Sequence, residues 1–233
     1  MMTQLSRFYA SSIGKKAVVA VTGAGLLAFV FAHMTGNLLI YLGPDAINAY
    51  GRFLHELGHG TAIWFARLGL LAMFGLHIVA TVQLTRQNRA ARPRGYALDG
   101  CQRTTSAARF MIVSGLTVLA FVIYHLMHFT LGVGNDYRTA EEYFTMLDGE
   151  RVHNIHQMVV DGFSVWPVSA FYILAMFLLC WHLMHGFSSV FQTLGAQTHG
   201  TRRIVRYAGY GFAAVILIGN TSIPLAVLFG LVS

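Results

Sequence analysis

Charge is what this sequence has least of. Asp, Glu, Lys and Arg make up 11% of its 233 residues, where a soluble domain carries roughly a quarter. A surface so poor in charge points to lipid as the solvent, and 55% hydrophobic residues and a mean hydropathy of +0.57 agree. Cysteine is nearly absent. Cys101 and Cys180 stand far apart, which excludes a disulfide framework and a cysteine-based zinc cluster. No C-x-x-C-H run occurs, so covalent c-type haem is excluded as well. Acidic residues number nine against 16 basic ones, a formal charge of +7. Such a balance could serve nucleic acid, but the placement of the charges gives a simpler account, and no nucleic-acid partner is expected.

What the chain does have is long apolar runs. Crossing the hydrocarbon core takes about 20 mostly apolar residues, and five runs meet that length: residues 17–42, 61–84, 107–131, 167–191 and 207–232. None holds an internal Lys or Glu. Arg67 and Arg109 sit near run ends, where their heads can reach water. The polar stretch 1–12 lacks a cleavage pattern, and the first run is too long for a signal peptide, so it reads as a retained helix. Pro167 suits a first helical turn. Asn220 and Pro224 predict a kink or break in the fifth run. The expected fold is an all-α integral membrane bundle of five helices, a single domain over 1–233. No internal repeat or low-complexity segment stands out.

The connections alternate in charge. The N-terminal segment, the 85–109 connection and the 192–206 connection, with their edges, hold Arg7, Lys15, Lys16, Arg86, Arg89, Arg92, Arg94, Arg103, Arg109, Arg202, Arg203 and Arg206, which is 12 of the 16 basic residues. Eight of the nine acidic residues lie at the other two connections. The positive-inside rule then puts the N-terminus in the cytoplasm and the C-terminus outside. The longest outer connection, 132–166, contains Tyr143, Phe144, Met146 and Leu147, then apolar residues at helical spacing over 152–165. It reads as one or two short amphipathic helices on the membrane surface.

Six of the 11 histidines fall inside the runs: His33, His77, His125, His128, His182 and His185. Polar groups at membrane depth are costly and mark function by default, although any one of them could serve as interhelical packing glue. Depth separates the readings. At about 1.5 Å per residue, His33 and His125 lie roughly 24–26 Å from the inner surface, and His77 and His182 roughly 13–14 Å. Four helices thus give one candidate each, in two depth-matched pairs. His128 and His185 are offset by about 5 Å, and read as supporting residues or alternative ligands. Two histidines at one depth on facing helices are what axial ligation of a haem iron needs. Small residues nearby (Gly36, Gly75, Gly186) leave room for a macrocycle. A zinc or copper site would want three or four ligands at one level.

At these residues the sequence resembles the cytochrome b subunit of the succinate dehydrogenase and fumarate reductase family, in its single-subunit, five-helix, di-haem type. The likeness runs through Thr22-Gly23, Phe31-Ala32-His33-Met34-Thr35-Gly36-Asn37-Leu38, Tyr124-His125-Leu126-Met127-His128-Phe129 and Trp181-His182-Leu183-Met184-His185-Gly186-Phe187, continuing to Gly195. The Arg92-Pro93-Arg94-Gly95-Tyr96 stretch is similar to that family's cytoplasmic loop. The resemblance implies two non-covalent b haems, a proximal one on His77 and His182 and a distal one on His33 and His125. It implies electron transport in a respiratory chain between menaquinone and partner subunits: a flavoprotein bearing FAD and an iron–sulfur protein, both docked on the basic inner face. It implies a bacterial-type inner membrane and a link to the tricarboxylic acid cycle. Dicarboxylate chemistry would belong to the flavoprotein, and no catalytic residue for it is readable here. Where fumarate reductases of this type can carry a glutamate two residues before the helix-four ligand, this chain has Cys180, so the resemblance does not extend to that proton route.

Quinone chemistry needs a proton donor or acceptor near a haem edge. His55, Glu56 and His59 cluster between the first two runs and are candidates, set against a plain solvated loop. His153 and His156 could cover the distal haem or simply hydrogen-bond at the surface. Two rivals remain: the di-haem anchor of a hydrogenase or formate dehydrogenase, against which five spans and the helix-four run argue, and a haem-free transporter with a histidine proton relay. A relay predicts histidines at successive depths, whereas these pair.

Overall fold

The computed structural model describes residues 4–91 and 110–233. Cys101 and the Arg92–Tyr96 and Arg103–Arg109 positions lie outside the described residues. A short α1 (Gln4–Ala10) leads into α2 (Ser12–Asn37), which tightens into a 3-10 turn over Leu38–Leu42. Then come α3 (Pro44–Glu56), α4 (Thr61–Ala90), α5 (Met111–His125) with a π-helical continuation Leu126–Leu131, and strands β1 (Phe144–Leu147) and β2 (Glu150–His153). The chain finishes with α6 (Ile155–Ser164), α7 (Trp166–Thr193) and α8 (Arg202–Leu228). Five helical segments are long and apolar enough to cross a membrane: Ser12–Leu42, Thr61–Ala90, Met111–Leu131, Trp166–Thr193 and Arg202–Leu228, with mean hydropathies of 1.8 to 2.0.

Local chemistry sets the boundaries. Ser11 caps α2 by accepting from the Gly14 amide at 2.9 Å. Gly43, at φ 99°, breaks the chain before Pro44 starts α3. Gly58, His59 and Gly60 all take positive φ, a tight left-handed turn that reverses the chain into α4. Pro167 stands in the first turn of α7, as its spacing suggests. In α8 the helix passes through Pro224 without a break. In the turn before it, Asn220 donates to the Ile216 carbonyl at 2.9 Å and Thr221 to the Leu217 carbonyl at 2.7 Å. Of the kink or break expected at Asn220 and Pro224, the break does not form.

In lipid, association depends on close packing and interhelical hydrogen bonds rather than on water exclusion. The centre is α7, whose buried Ser169, Tyr172, Met176, Leu179 and Leu183 recur every three or four residues. The last four of these meet Ala213, Ile216 and Ile223 of α8 and Phe121 of α5. A Cβ on Gly209 would stand 3.3 Å from the Phe187 ring and 3.4 Å from the Met184 carbonyl, so its absence lets α7 and α8 close. By contrast α4 leaves Trp64, Phe65, Leu68 and Leu71 exposed, the pattern of a lipid-facing helix.

The two acid-rich connections join into a cap at one end of the bundle. Buried Asn48 of α3 donates to Asn154 Oδ1 at 3.2 Å and accepts the His156 amide at 3.1 Å. Arg52 reaches Asp148 at 2.8 Å and the Leu147 carbonyl at 3.2 Å. At the other end α1 lies on the extension of α4: the Tyr9 hydroxyl donates to Gln83 at 3.1 Å and Gln87 to the Ala10 carbonyl at 3.4 Å. The cap departs from expectation twice. Of the one or two short helices expected over 132–166, one forms, Ile155–Ser164, while the stretch before it is a 3-10 turn and a hairpin. Asp148 and Gly149 at the turn take φ 53° and 82°, the two positive values of a type I′ hairpin turn, so Phe144, Met146 and Leu147 pair as strand. And 44–56, expected as a plain connection, is an amphipathic helix.

Candidate functional site

Each of α2, α4, α5 and α7 carries one of the four paired histidines. His77, His125 and His182 are half-buried; His33 is the most open of the four. His33 and His125 face each other, ring centroids 5.8 Å apart and planes at 81°. Two imidazoles sharing one metal at about 2 Å from each nitrogen stand with centroids on the order of 6 Å apart, so the separation fits an axial pair. Phe29 stacks on His33 at 5.4 Å, and Phe121 on His125 at 5.9 Å.

His77 and His182 are held differently. Thr22 Oγ1, buried on α2, lies 3.1 Å from His77 Nδ1. Ser114 Oγ, buried on α5, lies 3.1 Å from His182 Nδ1. These two hydroxyls stand eleven residues before His33 and His125 on the same two helices. Because His33 and His125 meet, the two hydroxyls share a level about 16 Å away along the helices, and their histidines share it too. His185, one turn further along α7, has no such hydroxyl contact among the described residues.

The residues present fit two haems that His33 with His125, and His77 with His182, would hold. Gly75 and Gly186 face open space, with nothing within 4 Å of where a Cβ would point. Gly36, expected to leave room beside His33, does not: the Tyr50 ring fills the place of its side chain. Asn37 Nδ2 donates to His33 Nε2 at 3.2 Å, so in this ring setting Nε2 carries the lone pair and Nδ1 the proton, and a metal held at Nε2 would take the place of the Asn37 contact. Among the described residues no three His, Cys, Asp or Glu side chains converge as a metal-binding group. Coordination by pairs of histidines is the geometry on offer.

His128 joins His125 in a way that spacing alone does not show. The buried Tyr172 hydroxyl lies 3.1 Å from His128 Nδ1 and 3.3 Å from His125 Nδ1. It has one proton, so it donates to one ring and accepts N–H from the other. If His125 keeps its proton on Nδ1, Tyr172 donates to His128 Nδ1, and His128 carries its proton on Nε2. His128 also lines a cleft of about 280 Å³ with Tyr124, Asn135, Tyr137 and Val168. The π-helical turn of α5 runs along it, and such widened turns recur at functional sites.

The other candidates lie in the cap. His55, Glu56 and His59 are exposed at the end of α3 and in the turn after it, and His55 Nδ1 donates to its own helix at the Gly51 carbonyl, 2.8 Å. His153 donates to the Tyr137 carbonyl at 2.7 Å, and burial holds its pKa below the ordinary value. His156 is buried against Asn48, its pKa lowered for the same reason. Buried Cys180 sits on α7, two residues before His182.

Thr22, Ser114 and Tyr172 carry geometry that single-residue reading passes over, since a hydroxyl in an apolar run ordinarily bonds its own helix. In comparison with known proteins, no family model, no curated protein and no solved structure matches this chain.

Proposed function

We propose that this chain is the di-haem cytochrome b membrane anchor of a succinate:quinone oxidoreductase, passing electrons between an iron–sulfur partner subunit and menaquinone. One observation carries the reading. His33 and His125 meet ring to ring at one level, while His77 and His182 are each gripped at Nδ1 by a buried hydroxyl at another. A transporter relay would string its histidines at successive levels.

In this reading His77 and His182 hold the proximal haem and His33 and His125 the distal one. Bound there, the two haems would supply one-electron carriers. The residues of the chain orient the ligands and keep lipid and water in their places. The basic end, with the N-terminus, faces the cytoplasm of a bacterial-type inner membrane. It docks the iron–sulfur subunit and the FAD-bearing flavoprotein, where succinate and fumarate interconvert. The capped end faces outward.

Reducing a quinone to a quinol takes two electrons and two protons. The cleft beside His128 suits the headgroup, because it joins apolar walls to a histidine and tyrosines. His128 Nε2–H can donate to a ring oxygen there, and the Tyr172 hydroxyl holds His128 in that tautomer. His55, Glu56 and His59 lie on exposed backbone with no comparable enclosure among the described residues.

The chain is to be purified from its native membrane without harsh detergent. Flavoprotein and iron–sulfur subunits are expected to accompany it, and the complex to reduce a menaquinone analogue with electrons from succinate. Hydrogenase or formate dehydrogenase subunits in their place would overturn the assignment.

A further inference from the structure

The chain carries an internal repeat that a search for long periods passes over. Residues 22–33 read Thr-Gly-Ala-Gly-Leu-Leu-Ala-Phe-Val-Phe-Ala-His, and 114–125 read Ser-Gly-Leu-Thr-Val-Leu-Ala-Phe-Val-Ile-Tyr-His. The glycine, the Leu-Ala-Phe-Val stretch and the final histidine are identical, and threonine is answered by serine. Identity within apolar runs comes cheaply, but these copies also make the same three contacts. The hydroxyl meets Nδ1 of a histidine on the following membrane helix, at 3.1 Å in both. The glycine lies against that same ring: a Cβ would stand 3.3 Å from His77 Cε1 at Gly23, and 3.5 Å from His182 Cε1 at Gly115. The phenylalanine four residues before the terminal histidine stacks on it. Eleven residues make three helical turns, so hydroxyl and terminal histidine share one face.

We infer that Thr22 and Ser114 are equivalent positioning residues, one in each copy of this unit, that fix the tautomer and ring setting of His77 and His182. The inference rests on the di-haem reading. Hydrogen-bond direction carries it. Thr22 Oγ1 donates its single proton to the Val18 carbonyl at 2.7 Å, and Ser114 Oγ donates to Met111 at 3.1 Å. Each oxygen is therefore left as an acceptor, and only a protonated Nδ1 can satisfy it. A neutral imidazole protonated at Nδ1 bears its lone pair on Nε2, the nitrogen left to a metal. An outer partner of this kind orients the ligand and raises its basicity. The neighbouring glycines let helix and ring approach closely enough for the bond. α2 with α4, and α5 with α7, are thus two versions of one half-site: in each, the first helix supplies a ligand at one level and the support for its neighbour's ligand at the other.

The test uses the full chain, with its haem content and the EPR signals and midpoint potentials of each haem population as readouts. Thr22→Val and Ser114→Ala are each expected to disturb the population that His182→Ala abolishes, shifting its signal and potential and weakening its retention roughly 10–100-fold. The population that depends on His33 stays as in the unaltered chain, which also reports correct folding. Thr22→Ser and Ser114→Thr restore the disturbed population. The inference is overturned if both variants leave both populations unchanged, if they strike different populations, or if the hydroxyl-bearing replacements fail to rescue. An unaltered chain with no haem would instead overturn the di-haem reading beneath it.

Discussion

Replacing His33 or His125 with alanine is expected to remove one and the same haem, while replacing His77 or His182 removes the other. Each single variant should keep about half of the b-type absorbance, and the double variant His33→Ala/His125→Ala should lose no more than either single one, because both act on one iron. Conversely, His33→Ala combined with His77→Ala should leave none. The expectation rests on the 5.8 Å approach of the first two rings and on the shared level of the second two. Redox titration followed by EPR separates the two populations. If all four single variants deplete the same population, or if His33 and His77 prove to act on one haem, the pairing is wrong. His185→Gln should leave both haems in place.

Tyr172→Phe should have the largest effect of any change that leaves all the ligands intact. The Tyr172 hydroxyl stands between His125 and His128, and the residue is 6% exposed. Phenylalanine fills nearly the same volume in this aromatic cluster, so packing against Phe121, Phe163 and Tyr124 survives. What is lost is one acceptor and one donor. Two ring nitrogens are then left without their partner, at about 1–3 kcal/mol for each group that stays buried and unsatisfied. His125 is freed to rotate and His128 to change tautomer. Two haems per chain are expected to remain. The potential of the population that depends on His33 and His125 should shift, and quinone turnover should fall about 10–100-fold. Unchanged turnover with an unchanged potential would remove Tyr172 and His128 from the proposed proton path.

Much of the fold was legible because membranes impose one long length scale. Twenty apolar residues leave little choice but to cross, and each of the five runs contains a helix long enough to do so. Elements shorter than that scale were not. The helix over Pro44–Glu56 is amphipathic and too short to span, so a search for spans reads it as a connection. The hairpin was hidden by the aromatic and aliphatic residues around Phe144, which suit a helix as well as a strand; Asp148-Gly149 was the signal that decided it. At the site, depth arithmetic selected the histidines, since rise per residue is nearly constant. It could not select the hydroxyls. Thr22 and Ser114 differ in type and sit among residues that any membrane helix uses. Their meaning shows only when each is seen against an imidazole of another helix. Nor does periodicity reveal that Tyr50 fills the space beside Gly36: that contact joins α3 to α2.

The most direct measurement is the reduced-minus-oxidised absorption spectrum of the purified chain, with haem extracted as its pyridine complex and referred to protein by amino-acid analysis. Two b-type haems per chain, released without breaking a covalent bond, is the expected result. A chain that folds into its five-helix bundle, remains monodisperse in mild detergent and holds no haem would contradict it.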